Sequence, residues 1–455
     1  MTATRSDALV FFGATGDLAA KQIFPALQAL VRRKRLDGPV VAVGRKAMSK
    51  DEIIALAKKS LTEHGGVDEA AFGGLSEKLR YVAIDFDDAS TFARIREALG
   101  DARHPLHYVA LPPDVFEQVA KGLAAAGLAE GARLVLEKPF GHDAESAKAL
   151  SAALHPHFPE ESIFRIDHFL GKEPVENIVY FRAANPLFEA VLTNQHVQSV
   201  QITMAETFGV EGRAAFYDGV GAIRDVVQNH LLELIACLTL ELPDEPGHAG
   251  LRAARARVLT QLQTLSPNDI VRGQVKGYAK EKGVKDGSTT ETFAVLRLAL
   301  ENDRWRGVPF FLRAGKSLPV TATEAVVTFK PSRKPVLEET ASPPPNRLTF
   351  RLGSEASIAI ASNVKKDGES LVGTSKELAL HLASPDALKP YDRLLGDAMN
   401  GDASFFASKE AAEESWRIVD PVIGDVTPAH AYEKGTWGPA EAAKIAPEGG
   451  WLDPR

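Results

Sequence analysis

The 455-residue chain has one cysteine, Cys237, so no internal disulfide can staple its fold. That thiol lies in the apolar run 231–240, where a buried packing role is expected. No stretch approaches the roughly 18 apolar residues that a membrane-crossing helix needs. The opening MTATRSDALVFFGATG has no apolar core of signal-peptide length either. The expectation is a soluble, cytoplasmic protein without a membrane partner. Positive charge is not in excess: 53 lysines and arginines stand against 60 acids, a net −7, which gives no electrostatic reason to bind nucleic acid. Histidines number 12, and their spacing suggests no metal site; His104/His107 and His155/His157 flank prolines without acidic or cysteine partners. With 45% hydrophobic and 25% charged residues, disorder and fibrous structure are excluded, and the length suffices for several domains.

What the sequence does contain is alternation. Residues 8–12 (ALVFF) form a continuous apolar run, as suits a strand buried on both faces of a parallel sheet. A glycine turn and a helical pattern over 18–31 follow, and the unit recurs. Strands are expected at 39–43, 80–86, 106–111, 133–136 and 163–166, with helices from about Ser49, from about Ser90, and over 114–127 and 144–154. Such alternation implies right-handed crossovers and an α/β, doubly wound parallel sheet of Rossmann type. The second half reads differently. Strand-like runs at 200–204, 292–298, 308–313, 324–329, 347–352 and 357–361 predict an α+β domain with a large, mainly antiparallel sheet. Helical patterns lie around 222–240 and 386–409, and 331–346 reads as a polar, Pro-rich surface loop. The division is expected at 1–175, for dinucleotide binding, and 176–455, for substrate and oligomerisation.

Gly13-Ala14-Thr15-Gly16-Asp17-Leu18-Ala19 follows the first strand and opens the first helix. Gly13 permits a tight turn and Gly16 a close backbone approach, so the helix start offers free N–H groups to a dinucleotide phosphate. The second strand ends Val43-Gly44-Arg45-Lys46, without the acid that commonly bonds an NAD ribose. Arg45 can hold a 2′-phosphate by a charge-assisted fork, which points to NADP.

Removing a hydride from an alcohol requires a base for the hydroxyl proton, and neutral histidine suits that task near pH 7. Two histidines stand in unusual company, His168 after Asp167 and His230 in IRDVVQNH. Asp225 and His230 are five apart, about 140° around an α-helix, so they are not expected to pair within it. Asp167, at the end of the sixth strand where ligands of open sheets gather, is the natural orienting carboxylate for His230. Two lookalikes fail. Gly315-Lys316-Ser317 lacks the earlier glycine of a phosphate-binding loop, and no G-x-S-x-G elbow occurs.

Together GATGDLA, EKPFG (137–141), RIDHFLGKE (165–173), ETFGVEGR (206–213), IRDVVQNH (223–230), VPFFLRAGK (308–316) and the segment from Tyr391 to Pro421 resemble the glucose-6-phosphate dehydrogenase family, in order along almost the whole chain. The resemblance implies a homodimer or dimer of dimers that oxidises C1 of a sugar phosphate to a lactone and reduces NADP, the first step of the oxidative pentose phosphate pathway. It implies His230 as general base and Asp167 as its carboxylate partner. By the same resemblance His168 and Lys172 bind the 6-phosphate, and Glu206, Asp225 and Lys316 hold sugar hydroxyls. Gly13, Thr15, Gly16 and Arg45 would bind the dinucleotide, with Lys138 and Pro139 beside its nicotinamide.

Three positions depart from the family pattern: Phe169 replaces a tyrosine, Thr321 a basic residue and Gln22 a lysine, although Lys21 is next door. Losing two cationic contacts and one hydroxyl removes roughly 3–7 kcal/mol of phosphate recognition before compensation. Three readings follow: a glucose-6-phosphate dehydrogenase with a modified phosphate pocket, a paralogue oxidising C1 of a different or unphosphorylated sugar, and a non-catalytic NADP-binding subunit.

Overall fold

The computed structural model describes residues 4–244, 247–331, 344–353, 355–368, 372–382 and 388–454. Most of the Pro-rich loop expected at 331–346, namely 332–343, lies outside the described residues. Two units form. One takes 1–173, 243–256 and 388–413, and the other takes 174–242, 257–387 and 414–455.

The first unit is built on six strands: β1 (Ala8–Phe12), β2 (Val40–Gly44), β3 (Leu79–Ala83), β4 (Pro105–Val109), β5 (Arg133–Glu137) and β6 (Ile163–Ile166). They pair in parallel in the order β3-β2-β1-β4-β5-β6. The run ALVFF is buried throughout because each face of the sheet carries its own apolar layer. Leu9 and Phe11 join one layer, and Ala8, Val10 and Phe12 the other. The order reverses between β1 and β4, and that reversal opens the crevice where doubly wound folds bind ligands. Local signals set the helix starts. Ser49 and Glu52 form a capping box ahead of Lys50–Glu63, and Asp143 and Ser146 do so ahead of Ala144–Leu154. The late helix Pro390–Asn400 belongs here because Leu394, Leu395, Ala398 and Met399 pack into the layer of Leu9 and Phe11. Each buried leucine stabilises that contact by about 1.5–3 kcal/mol.

The second unit carries β7 (Val197–Ala205), β8 (Ile270–Val275), β9 (Phe293–Ala299), β10 (Pro309–Gly315), β11 (Ala322–Phe329), β12 (Arg347–Arg351), β13 (Ser357–Lys365), β14 (Gly373–His381) and β15 (Ala429–Tyr432). Their order is β14-β13-β12-β11-β7-β10-β9-β8-β15. All neighbours are antiparallel except β7 with β10 and β8 with β15. The expected parallel and mainly antiparallel sheets are both present. Strands β8, β14 and β15 were not foreseen: β8 is interrupted by Arg272-Gly273, β14 is exposed along nearly its whole length, and β15 has four residues. None of the described helices is long and apolar enough to cross a membrane.

Candidate active site

In the first unit the expected cofactor residues stand at carboxyl ends of parallel strands. Gly13 leaves β1 at φ +79°, and a Cβ there would lie 2.4 Å from the carbonyl oxygen of Ala110, so only glycine fits this turn. Gly13 N and Ala14 N donate to Val43 O at 3.0 and 3.1 Å, tying the turn to the end of β2. Thr15 and Gly16 are exposed at the start of the helical run, and Arg45 is exposed just beyond β2. A bare turn, a helix start and a solvent-facing guanidinium fit the diphosphate and 2′-phosphate of NADP.

Farther along the same edge, β5 ends at Glu137, and a cis peptide bond joins Lys138 to Pro139. Glu137 is buried and accepts hydrogen bonds from the Tyr108 hydroxyl and, at 3.5 Å, from Tyr391 Oη. Burial pushes its carboxyl up to about 7, opposed by the two tyrosines and Lys138 and reinforced by the charge of Asp167. Asp167 follows β6 and is 3% exposed; its Oδ1 accepts the Phe169 N–H at 2.9 Å. His168 is half-buried. Lys172 Nζ lies 4.0 Å from the centre of the Phe169 ring, a cation–π contact.

In the second unit the geometry follows from one parallel strand pair. Strand β10 pairs with β7 so that Gly315 stands opposite Ala205, and the next residue on each strand is Lys316 and Glu206. Glu206 N donates to Gly315 O at 3.0 Å, and Lys316 Nζ donates to Glu206 Oε2 at 2.5 Å. Asp225 Oδ2 is 3.8 Å from the same ammonium. Below it lies Tyr217, whose ring centre is 5.1 Å from Lys316 Nζ; burial and the charge of Asp225 hold its hydroxyl protonated. The cluster presents an oriented cation between two carboxylates, a set that both donates to and accepts from vicinal hydroxyls.

His230 is 4% exposed on Ile223–Leu231. That segment is a π-helix, which corrects the α-helical winding expected of it. Hydrogen bonds in a π-helix run i to i+5, so Asp225 and His230 occupy successive turns instead of faces 140° apart. Their spacing of five therefore does not keep them on separate faces. Asp225 nevertheless sends its carboxylate toward Lys316.

The expected residues thus fall into two sets. Gly13, Thr15, Gly16, Arg45, Lys138, Pro139, Asp167, His168 and Lys172 lie in the first unit, and Glu206, Asp225, His230 and Lys316 in the second. At the departures, Thr321 is engaged with Thr207, accepting its N–H at 3.0 Å and meeting its hydroxyl at 2.9 Å. Lys21 is exposed and pairs with Asp17 at 3.3 Å. Sequence reasoning missed Glu137, Tyr391 and Tyr217. The acid in EKPFG and the tyrosine opening YDRLL were visible signals, but nothing local places them together.

Two family models cover nearly the whole chain: the glucose-6-phosphate dehydrogenase NAD binding domain over 10–177, and the glucose-6-phosphate dehydrogenase C-terminal domain over 179–451. The chain is 38% identical over 460 residues to glucose-6-phosphate 1-dehydrogenase 1 of Mycobacterium tuberculosis, spanning 99% of this chain and 97% of the relative. The crystal structure of glucose-6-phosphate 1-dehydrogenase from Mycobacterium avium superposes with a TM-score of 0.93 at 39% identity, over 99% of both chains. A glucose-6-phosphate dehydrogenase solved in complex with glucose-6-phosphate gives a TM-score of 0.91 at 30% identity, over the full length of both chains.

Proposed function

The chain belongs to the glucose-6-phosphate dehydrogenase family, and we propose how its residues divide the work of that activity. The enzyme oxidises C1 of glucose 6-phosphate to 6-phosphogluconolactone with NADP. Likeness along the whole chain to a relative of that name favours this substrate over the two other readings.

NADP, when bound, supplies the acceptor for the hydride leaving C1. Gly13, Thr15, Gly16 and Arg45 would hold it, with Lys138 and Pro139 beside the nicotinamide. His230, which is buried, takes the proton of the C1 hydroxyl. Asp167 is its carboxylate partner, orienting the ring and stabilising the imidazolium that forms. His168 and Lys172 hold the 6-phosphate. Lys316, Glu206 and Asp225 fix the sugar hydroxyls, which sets the C1–H bond at one angle to the cofactor face. The observation that carries the substrate half is the Lys316 ammonium between Glu206 and Asp225, the latter one turn of the π-helix before His230.

We assign dinucleotide binding to 1–175, which also carries His168 and Lys172 for the phosphate, and the remaining substrate contacts and assembly to 176–455, in a cytoplasmic dimer or tetramer. Light scattering of the purified protein tests the assembly. The activity is tested by following NADPH formation from glucose 6-phosphate in the wild type and in His230→Asn.

A further inference from the structure

We propose that Glu291 is a positioning residue for the reaction: from inside the second unit it holds the start of the π-wound segment and so fixes the level of Asp225 and His230. The inference rests on the reading of His230 as the base.

Glu291 is 5% exposed, and each of its acceptor oxygens has a distinct task. Oε1 accepts the Ile223 N–H at 3.0 Å, at the first residue of the segment. Its main-chain oxygen accepts Ala222 N–H, also at 3.0 Å. A helix start leaves N–H groups without intrahelical acceptors, and a carboxylate satisfies them while complementing the positive end of the dipole. Oε2 is gripped by Arg272, whose Nε and Nη2 donate at 3.3 and 3.0 Å. Arg272 is 1% exposed and is fixed in turn by Thr427 O at 2.6 Å and Thr289 O at 2.8 Å. The carboxylate therefore cannot swing away from the segment.

The approach chain is shaped to admit it. Gly221 enters the segment at φ +70°, and a Cβ there would stand 2.4 Å from Glu291 Oε1. The next residue along completes the device. Thr292 O accepts the Lys316 N–H at 2.9 Å, and Tyr432 Oη donates to Lys316 O at 2.7 Å. Residues 291 and 292 thus grip, on successive peptides, the segment that carries His230 and the strand end that carries Lys316. A surface helix needs only a serine or a water at its start; a buried ion pair here fixes position.

The test uses the full-length enzyme with Glu291→Gln, and Gly221→Ala as a second route to the same displacement. Each variant is titrated for NADP sites, and kcat is expressed per site. The expected result is a fall in kcat per site of about 10- to 100-fold, because a displacement near 1 Å costs up to ~10² in rate. The Kd for NADP stays within about two-fold, and the KM for glucose 6-phosphate, which Asp225 serves, rises by less than kcat per site falls, so that the loss lies mainly in the transition state. The NMR signals of the His230 ring, assigned by their absence in His230→Asn, shift in both variants, a readout that needs no turnover. Unchanged kcat per site with unmoved ring signals overturns the proposal. So does a rate loss matched by an equal loss of NADP sites, which would make Glu291 a general structural residue. A wild type that binds NADP but gives no NADPH from glucose 6-phosphate would sink the functional reading, while the ring signals would still decide on Glu291.

Discussion

Asp225 and His230, five residues apart, stand on successive turns of one π-helix. An α-helix would carry them about 140° apart, so the wider π winding is what stacks the carboxylate proposed to bind sugar hydroxyls one turn from the proposed base. Departures of this kind gather at functional sites because ordinary winding is the lower-energy choice. Asp225 is thereby a second candidate, beside the proposed Asp167, for the role of orienting His230.

The competition is settled by paired substitutions. His230→Asn is expected to lower kcat by about 10² to 10⁴, the usual worth of a general base. Asp167→Asn should lower kcat with little change in KM, whereas Asp225→Asn, losing its place beside Lys316, should act mainly on KM for the sugar. Steady-state kinetics of the three variants checks this. The reverse pattern for the two aspartates would move the orienting role to Asp225.

Lys316 bridges two carboxylates at the end of β10. Lys316→Met leaves Glu206 and Asp225 facing each other and removes a charge-assisted donor worth about 1.5–3 kcal/mol. The KM for glucose 6-phosphate is therefore expected to rise by roughly 10- to 100-fold. Binding of NADP, measured by calorimetry, should not change, because the residues proposed to hold it lie in the other unit.

Much of this was legible in the sequence. The six strands of the first unit announced themselves as apolar runs, and the glycine turn after β1 announced its own use. The residues that the motifs marked in the second unit fall where β7 and β10 end side by side, although only the parallel register of those strands shows why Glu206 meets Lys316. What stayed hidden was non-local. Glu137 meets Tyr391 across 254 positions of sequence. The π winding of Ile223–Leu231 also leaves no mark in a side-chain pattern that an α-helix would satisfy equally well.

Glu137 gives the protein a pH dependence of known sign. Its carboxyl is pushed up to about 7 in the fold, against 4.5 for the free group. The folded state therefore holds the proton more tightly than the unfolded chain. The stability this contributes is complete below about pH 4.5 and is lost as pH rises through about 7. A shift of that size corresponds to roughly 3 kcal/mol. Glu137→Gln, which cannot ionise, should gain in Tm relative to the wild type between pH 5 and pH 8, as thermal unfolding at both values would show. A Tm difference independent of pH would mean that Glu137 is ionised throughout.

Phe169 is buried under Lys172, and Thr321 is bound to Thr207, so neither offers a charge or a phenolic hydroxyl to a phosphate. Phe169→Tyr combined with Thr321→Lys is expected to raise kcat/KM for glucose 6-phosphate about tenfold or more, one charge-assisted contact being worth at least ~1.4 kcal/mol. No gain would mean that other groups already saturate the phosphate.

The most direct test of the whole account is absorbance-monitored reduction of NADP by the wild-type enzyme. Glucose 6-phosphate would be run beside free glucose, galactose 6-phosphate and glucosamine 6-phosphate. The account predicts that glucose 6-phosphate gives the highest kcat/KM and that its rate collapses in His230→Asn. No NADPH from millimolar glucose 6-phosphate, or a higher kcat/KM for another of these sugars, would contradict it.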